Sequence, residues 1–461
     1  MWLLIKNGLI IKPHGEISAD ILIENETIKR IEPHLDIPVN RIINAAGKYV
    51  IPGGIDVHTH LSLPVGTVTS SDDFETGTRA AAFGGTTSII DFAQQIKGRS
   101  LSEALDTRLK QAEKSVIDYG LHMVIVDLPE HRTVEMDEMI KKGVTSFKLF
   151  TAYPDRLMVN DTTILRALKQ VKKNGGLVCV HAEDAAMIGE LVHKALKEGK
   201  IEPKYHATTR PAKAEAKAVR HVIELARQAC APVYFVHISC SDSLEYIQRA
   251  QSMGQPVYAE TCPQYLFTSI ENLDKAYFED AKYVFTPPPR EKWNQEKLWN
   301  GLRNNSLQVV STDHCPFNFR GDKEIGRADF TKIPNGAPGI ENRLQLLYFF
   351  GVMGGKISIH RWIEIASTAP AKLFGLYPKK GTVDVGSDAD IVIWDPEAEH
   401  TLSASTHHMN VDYSLYEGWR VKGSAEFVIS RGDIIVENGK WFGKPNRGKF
   451  CARDIFRYGS L

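Results

Sequence analysis

From about residue 50 onward, short continuous apolar runs alternate with longer stretches in which apolar positions recur every three to four residues. The stretches "SLSEALDTRLKQAEKSVID", "NDTTILRALKQVKKNG" and "AKAEAKAVRHVIELARQA" are amphipathic and predict helices with one buried face. The apolar runs are "IPGGIDVHTH", "TTSIIDFA", "LHMVIVD", "TSFKLFTAY", "LVCVHAE", "PVYFVHIS", "PVYAETCP" and "LQVVSTDH", eight in number. They lack the alternation of a half-exposed strand, so they predict strands buried on both faces, as in a parallel sheet. Eight such strands alternating with helices over roughly 270 residues predict an α/β fold of the (β/α)8 TIM barrel type. A doubly wound open sheet, the competing architecture, would carry a glycine-rich phosphate loop after its first strand, and none is present. The seventh connection, about 265–306, contains "FTPPPREKW" and predicts loop structure over the barrel mouth.

The two ends read as short strands and turns: "WLLIKNGLII", "ADILIENETIKRI" and "GKYVIPGG" at one, "DADIVIWDP" and "AEFVISRGDIIVENGKWFG" at the other. Neither end is long enough to bury two sheet faces alone. They are expected to pair into one smaller β-sandwich domain formed by residues 1–50 and 373–461, the latter including a C-terminal tail. The catalytic barrel is expected over 51–372.

Composition narrows the partners. The 461 residues hold 56 Lys plus Arg against 56 Asp plus Glu, so no charge excess points to nucleic acid or to a membrane surface. A small or neutral partner is expected. The opening "MWLLIKNGLIIKPHG" has neither a basic leader nor a small-residue cleavage site, and no apolar stretch is long enough to span a bilayer. Cys179, Cys230, Cys240, Cys262, Cys315 and Cys451 are scattered without paired spacing, which predicts reduced thiols in a cytoplasmic protein.

The chemistry concentrates at the ends of the predicted strands. His58 and His60 lie two apart in "GGIDVHTHLSLP" and share one strand face. Neutral imidazoles are good ligands for zinc and similar metals. Lys148 lies in the fourth run, His181 and His237 near the ends of the fifth and sixth, and Asp313 near the end of the eighth. Singly, each histidine has a bland reading as a hydrogen-bonded core or surface residue. In a barrel of this type, however, all six would converge on the mouth where such folds place their active sites. Four histidines and a carboxylate exceed one tetrahedral shell and point to two divalent cations. Lys148 is the candidate bridge: a buried neutral amine can take up carbon dioxide to give an anionic carbamate. The alternative at this point is an unmodified lysine paired to a carboxylate.

These residues sit in motifs that, with "ETCPQYL", "STDHCPF", "KIPNGAPGIENR" and "AKLFGLYPKKGTVDVGSDADIVIWDP", resemble the D-hydantoinase and dihydropyrimidinase family of the amidohydrolase superfamily from end to end. The resemblance implies a metal-dependent cyclic amidohydrolase that opens 5-monosubstituted hydantoins or dihydropyrimidines to N-carbamoyl amino acids. It implies that His58, His60 and Asp313 hold the first metal, that His181 and His237 hold the second, and that carbamylated Lys148 bridges them, with zinc as the expected ion. Asp313 would also move the catalytic proton, Tyr153 would steady the oxyanion, and the backbone at Thr286 and Asn335 would hold the ring's amide edge. A homotetramer is implied too, with "LYFFGVMGG" and "GKFCARDIFRYGSL" as candidate contact segments.

The chain departs from the family pattern at Thr286-Pro287-Pro288-Pro289-Arg290, where Ser-Pro-Pro-Leu-Arg is usual, which puts the shape of that loop at issue. Dihydroorotases, in the same superfamily, tend to carry an arginine just after the paired histidines; here Leu61-Ser62-Leu63-Pro64 follows. A neutral cyclic ureide or imide is therefore the expected substrate. Leu63, Val65, Leu157, Met158 and Val159 are candidates for an apolar pocket around its 5-substituent, or for ordinary packing. An allantoinase-like hydrolase is the alternative enzyme, and a non-catalytic family scaffold the alternative class. His407 and His408 are adjacent, so their side chains diverge and structural roles are expected.

Overall fold

The structure is a computed structural model that describes residues 2–457 and 459. Eight parallel strands form one sheet: Gly54–Thr59, Thr86–Gln94, Asp118–Val124, Ser146–Phe150, Leu177–His181, Val233–Phe235, Val257–Thr261 and Val309–Val310. Each pairs with its neighbour in the sequence. The last and the first meet beyond their ends, where Thr59 bridges His314 and the His60 N–H donates to the His314 carbonyl at 2.8 Å. The Asp56 carboxylate strengthens that seam, accepting from the Thr312 N–H at 3.1 Å and from its hydroxyl at 2.5 Å. The expected (β/α)8 barrel is present.

The physical reason for the apolar runs is visible in the first, third, fourth and fifth strands, which are buried at every residue. Helices cover their outer faces. Ala212–Ala229 turns Ala214, Ala218, Val219, Val222, Leu225, Ala226 and Ala229 inward, at the spacing one helical face requires. Asp161–Asn174 starts where the Asn160 side chain accepts from the Thr163 N–H. It stops at Gly175, whose φ of 76° is left-handed and suits glycine. The long seventh connection is built from short turns of helix, Pro263–Phe267, Ile270–Leu273 and Ala276–Tyr283, before the helix Trp293–Arg303.

The terminal strands share a second sheet. Its nine strands include Trp2–Lys12, Gly15–Glu24, Thr27–Glu32, Arg41–Asn44 and Tyr49–Pro52 from one end and Ile391–Thr401, Arg420–Ser430, Asp433–Glu437 and Lys440–Trp441 from the other. Antiparallel pairing of Ile391–Trp394 with Tyr49–Pro52 joins the two groups. One core of Leu3, Ile5, Ile21, Ile23, Ile391, Ile393 and Ile429 draws on both.

A buried charge cluster fixes this sheet to the base of the barrel. Lys380 Nζ lies 2.8 Å from Asp118, 3.0 Å from Asp388 and 2.6 Å from Asp390, and Arg431 Nε donates to Asp118 at 2.9 Å. Burial opposes a charge on Lys380, yet the surrounding carboxylates raise its pKa well above the ordinary value. The final segment runs beneath the same barrel: the Cys451, Arg453 and Phe456 N–H groups donate to Tyr119, Gly143 and Gly175. As far as Phe456, the tail expected to touch other subunits is thus engaged with its own barrel. Tyr458, Ser460 and Leu461, also in that expectation, lie outside the described residues. No helix among the described residues is long and apolar enough to cross a membrane. All six cysteines are free.

Lys380→Met should lower stability by about 3–5 kcal/mol, because it strands buried carboxylates without their cation. Calorimetric melting of the two proteins side by side tests this. An unchanged midpoint would show that the cluster does not hold sheet and barrel together.

Candidate metal centre

The paired histidines end the first barrel strand, and Asp313 stands three residues past the eighth, Val309–Val310. Strand alternation sends both imidazoles inward, and their ring centroids lie 5.1 Å apart. His58 Nε2 and His60 Nε2 are each 3.2 Å from Asp313 Oδ1, and one ligand atom from each of the three residues falls within 4.8 Å of the others. His58 Nδ1 lies 2.5 Å from Glu260 Oε1, which accepts its N–H and leaves Nε2 as the lone-pair nitrogen. Burial holds His58 neutral, its pKa far below the usual imidazole value. Its Nε2 is buried with no hydrogen-bond partner. Two acceptors, Nε2 and Asp313 Oδ1, thus face each other without a proton between them, an arrangement that a cation satisfies.

His181 and His237 make the other half. His181 Nε2 donates to Glu183 Oε2 at 2.8 Å, so Nδ1 carries the lone pair, and it lies 2.9 Å from His237 Nε2. The His237 ring stacks near His58 with centroids 5.4 Å apart, which brings the two halves together. Burial lowers the pKa of both His181 and His237, keeping them in the ligating form.

Lys148 lies among them, 1% exposed. Its Nζ sits 5.1 Å and 4.9 Å from the ring centroids of Phe92 and Phe150. Among the described residues it has no hydrogen-bond or ion-pair partner, so no carboxylate takes the place that the unmodified-lysine alternative requires. Burial lowers its pKa to about 8, against the opposing pull of Asp313 and Glu260. An amine with that pKa is partly neutral near pH 7 and is nucleophilic in that form.

Tyr153 stands three residues past the fourth strand, with its ring 5.4 Å from that of His181. Thr286 Oγ1 accepts from Asn335 Nδ2 at 2.9 Å, and the Thr286 side chain counters part of the burial that raises the Tyr153 pKa, so these three residues gather at the mouth. Tyr153, His237 and Asp313 have φ of 66°, 40° and 51°, left-handed conformations that are uncommon outside glycine. Strain of this kind persists where packing overdetermines the backbone, and it collects at functional sites.

The proposed apolar contacts are dispersed. Leu157 packs with Phe92, Phe150 and Tyr153 beside the cluster. Leu63 and Val65 are half-buried at the small hairpin of Pro64–Val65 and Val68–Thr69. Met158 and Val159 line a groove of about 1310 Å³ that runs outward past Asp161, Arg220 and Arg249. His407 and His408 serve structure: His408 Nδ1 lies 2.9 Å from Glu341 and its ring stacks on Phe83.

The carboxylates that orient the histidines lie outside the set predicted from the sequence. Glu260, which burial pushes up to about 7, also accepts from the Tyr234 hydroxyl at 2.7 Å and lies 3.3 Å from the His237 N–H. Burial would raise Glu183 too, but Arg210 at 2.8 Å outweighs it and holds the carboxyl at about 2. A signal existed in both cases: a glutamate inside the apolar "PVYAETCP" and another two residues after the histidine of "VCVHAE".

Comparison with known proteins agrees with this geometry. The family described as "Amidohydrolase family" matches residues 49–435. A D-hydantoinase of Streptomyces coelicolor is 50% identical over 98% of this chain and 98% of its own length. A D-hydantoinase of Geobacillus stearothermophilus is 47% identical over 99% of this chain and 97% of its own. The crystal structure of dihydropyrimidinase from Brevibacillus agri superposes with a TM-score of 0.98 at 48% identity, covering 99% of this chain and 100% of that one. A match of this extent, on a barrel whose mouth gathers histidines and an aspartate without protons enough to pair them, has one placement: the chain belongs to the amidohydrolase family, whose members are metal-dependent hydrolases.

Proposed function

We propose that this amidohydrolase opens a neutral cyclic amide, a 5-monosubstituted hydantoin or a dihydropyrimidine, to the N-carbamoyl amino acid. The observation that carries the reading is the buried Lys148 amine, which has no hydrogen-bond or ion-pair partner among the described residues and acts electrostatically on His58, His181, His237 and Asp313. The D-hydantoinase and dihydropyrimidinase relatives, similar along essentially the whole chain, support it. His58 Nε2, His60 Nε2 and Asp313 would hold one divalent cation, and His181 Nδ1 and His237 Nε2 the second. Lys148 would bridge them as a carbamate, its amine having added to carbon dioxide with loss of one proton. When bound, such a pair, with zinc as the expected metal, lowers the pKa of water and polarises a carbonyl.

The chain's own groups supply the rest. Asp313 accepts the proton of the attacking water and returns it to the ring nitrogen that leaves. The Tyr153 hydroxyl donates to the oxygen on which charge develops, and its raised pKa keeps it protonated for that purpose. The backbone at Thr286 and Asn335 holds the amide edge of the ring. Leu63, Val65 and Leu157, with Met158 and Val159 farther out, would receive the 5-substituent. A neutral ring suits a mouth whose Arg210 is already paired with Glu183, because that guanidinium is not free to meet an anionic substituent. The proposal extends to a barrel domain over 51–372 beside a domain from 1–50 and 373–461, to a homotetramer, and to a cytoplasmic location.

Steady-state rates on dihydrouracil, D- and L-5-substituted hydantoins and allantoin test the substrate assignment. Hydantoin or dihydrouracil should turn over fastest, and a clear preference for allantoin would replace the reading with an allantoinase. Lys148→Ala should abolish activity, with partial recovery when a short carboxylic acid is added. Full activity without the acid would remove the carbamate. Tyr153→Phe should lower kcat by roughly ten- to a thousandfold if the hydroxyl meets the oxyanion; an unchanged rate would assign the residue to packing.

A further inference from the structure

Lys323 is the other fully buried lysine of the mouth, and no step above uses it. Its Nζ donates to three backbone carbonyls, Val284 at 3.0 Å, Pro334 at 3.1 Å and Gly336 at 2.9 Å. Three donors are what an ammonium carries, so every one is used. No carboxylate among the described residues lies within ion-pair distance of it. Burial lowers its pKa to about 7, a cost that the three carbonyl bonds offset, and an apolar side chain in its place would leave those carbonyls without their donor.

The carbonyls it holds belong to two loops. Val284 lies two residues before Thr286, and Pro334 and Gly336 flank Asn335. The loops are already in register, since the Gly336 N–H donates to the Val284 carbonyl at 3.1 Å and Asn335 Nδ2 to Thr286 Oγ1 at 2.9 Å. Gly336 has φ of 153°, and any side chain there would meet the Cys315 backbone, so the close approach depends on glycine. His206 Nε2 donates to the Phe285 carbonyl at 2.9 Å and holds the first loop from its other side.

Two backbone groups in this clamp have no hydrogen-bond partner among the described residues: the Thr286 carbonyl and the Asn335 N–H. One acceptor and one donor side by side match the N–H and C=O of a ring amide edge. The Asn335 N–H belongs to the same peptide group as the Pro334 carbonyl, whose oxygen rests on the ammonium. In its charged form the Lys323 amine at that oxygen draws electron density across the amide and makes its N–H a stronger donor.

We propose that Lys323 is a positioning residue for substrate recognition, setting the spacing of the Thr286 carbonyl and the Asn335 N–H and strengthening the latter. The proposal rests on the reading above that these two groups hold the ring edge. Because the ring keeps those bonds in the ground state and in the transition state, their loss should appear in KM rather than in kcat.

The test uses the metal-loaded enzyme and two substrates, a 5-substituted hydantoin and the same ring methylated on the nitrogen between its carbonyls. The wild type should prefer the unmethylated ring by about a hundredfold or more in kcat/KM. Lys323→Met should raise KM for the unmethylated ring about ten- to a hundredfold, shift kcat by no more than about threefold, keep its metal and narrow the preference between the rings. A wild type indifferent to methylation would bring down the ring-edge reading itself. A discriminating wild type whose Lys323→Met variant keeps the same KM and preference would overturn the role of Lys323 alone. Should Lys323→Met fail to fold, Lys323→Gln, a neutral side chain that keeps two N–H donors, is measured in its place. Collapse of both variants would also overturn the proposal, because it assigns the lysine to the loops and not to the fold.

Discussion

Transferring a lysine amine from water into a barrel costs several kcal/mol if it stays charged and unpaired. Lys148 makes that transfer with two phenylalanine rings beside it and, among the described residues, no counter-charge in contact. Its neighbours have a complementary difficulty: His58, His181 and His237 are buried neutral, and with Asp313 they present lone pairs toward one another. Under the proposed carbamate, an amine that becomes an anion and acceptors that gain cations would be two halves of one solution. This meeting of a buried amine with buried lone pairs is the constraint that the rest of the mouth serves.

The fold meets the constraint by layers. Parallel strands bring residues far apart in the chain to one rim, and the seam between Asp56, Thr59, Thr312 and His314 sets Asp313 opposite the paired histidines. Beneath the rim, Glu260 and Glu183 fix which nitrogen of His58 and of His181 faces inward. They do so in different electrostatic settings, one carboxyl pushed up by burial and the other held down by Arg210. At the opposite end, the Lys380 cluster joins the barrel to the terminal sheet, and the final segment underlies its base. Rigidity below and strained backbone above follow the usual division between scaffold and site.

Much of this was legible along the chain because each signal is local. Continuous apolar runs and helical patterning mark strands and helices, and misfit polar residues in those runs, such as Lys148 in "SFKLF" and the histidines at strand ends, mark the site. What escaped notice depends on contacts between distant residues. Nothing near Lys323 in the sequence says that its ammonium meets Val284 and Pro334, and nothing near Glu260 says that its partner is His58. The apolar residues after the fourth strand illustrate the same limit: Leu157, Met158 and Val159 are consecutive, yet the first packs beside Tyr153 while the other two line an outer groove. The segment from Cys451 to Phe456 is a further case, since its backbone bonds to Tyr119, Gly143 and Gly175 of the barrel join residues far apart in the chain.

The account stands or falls on what fills the space between those lone pairs. Anomalous diffraction from crystals of the zinc-loaded protein, recorded on both sides of the zinc edge, addresses it directly. Two peaks are expected, one among His58, His60 and Asp313 and one between His181 and His237, with the density of Lys148 extended by a carboxylate that reaches both. A bare Lys148 side chain, or zinc bound elsewhere on the molecule, would contradict it.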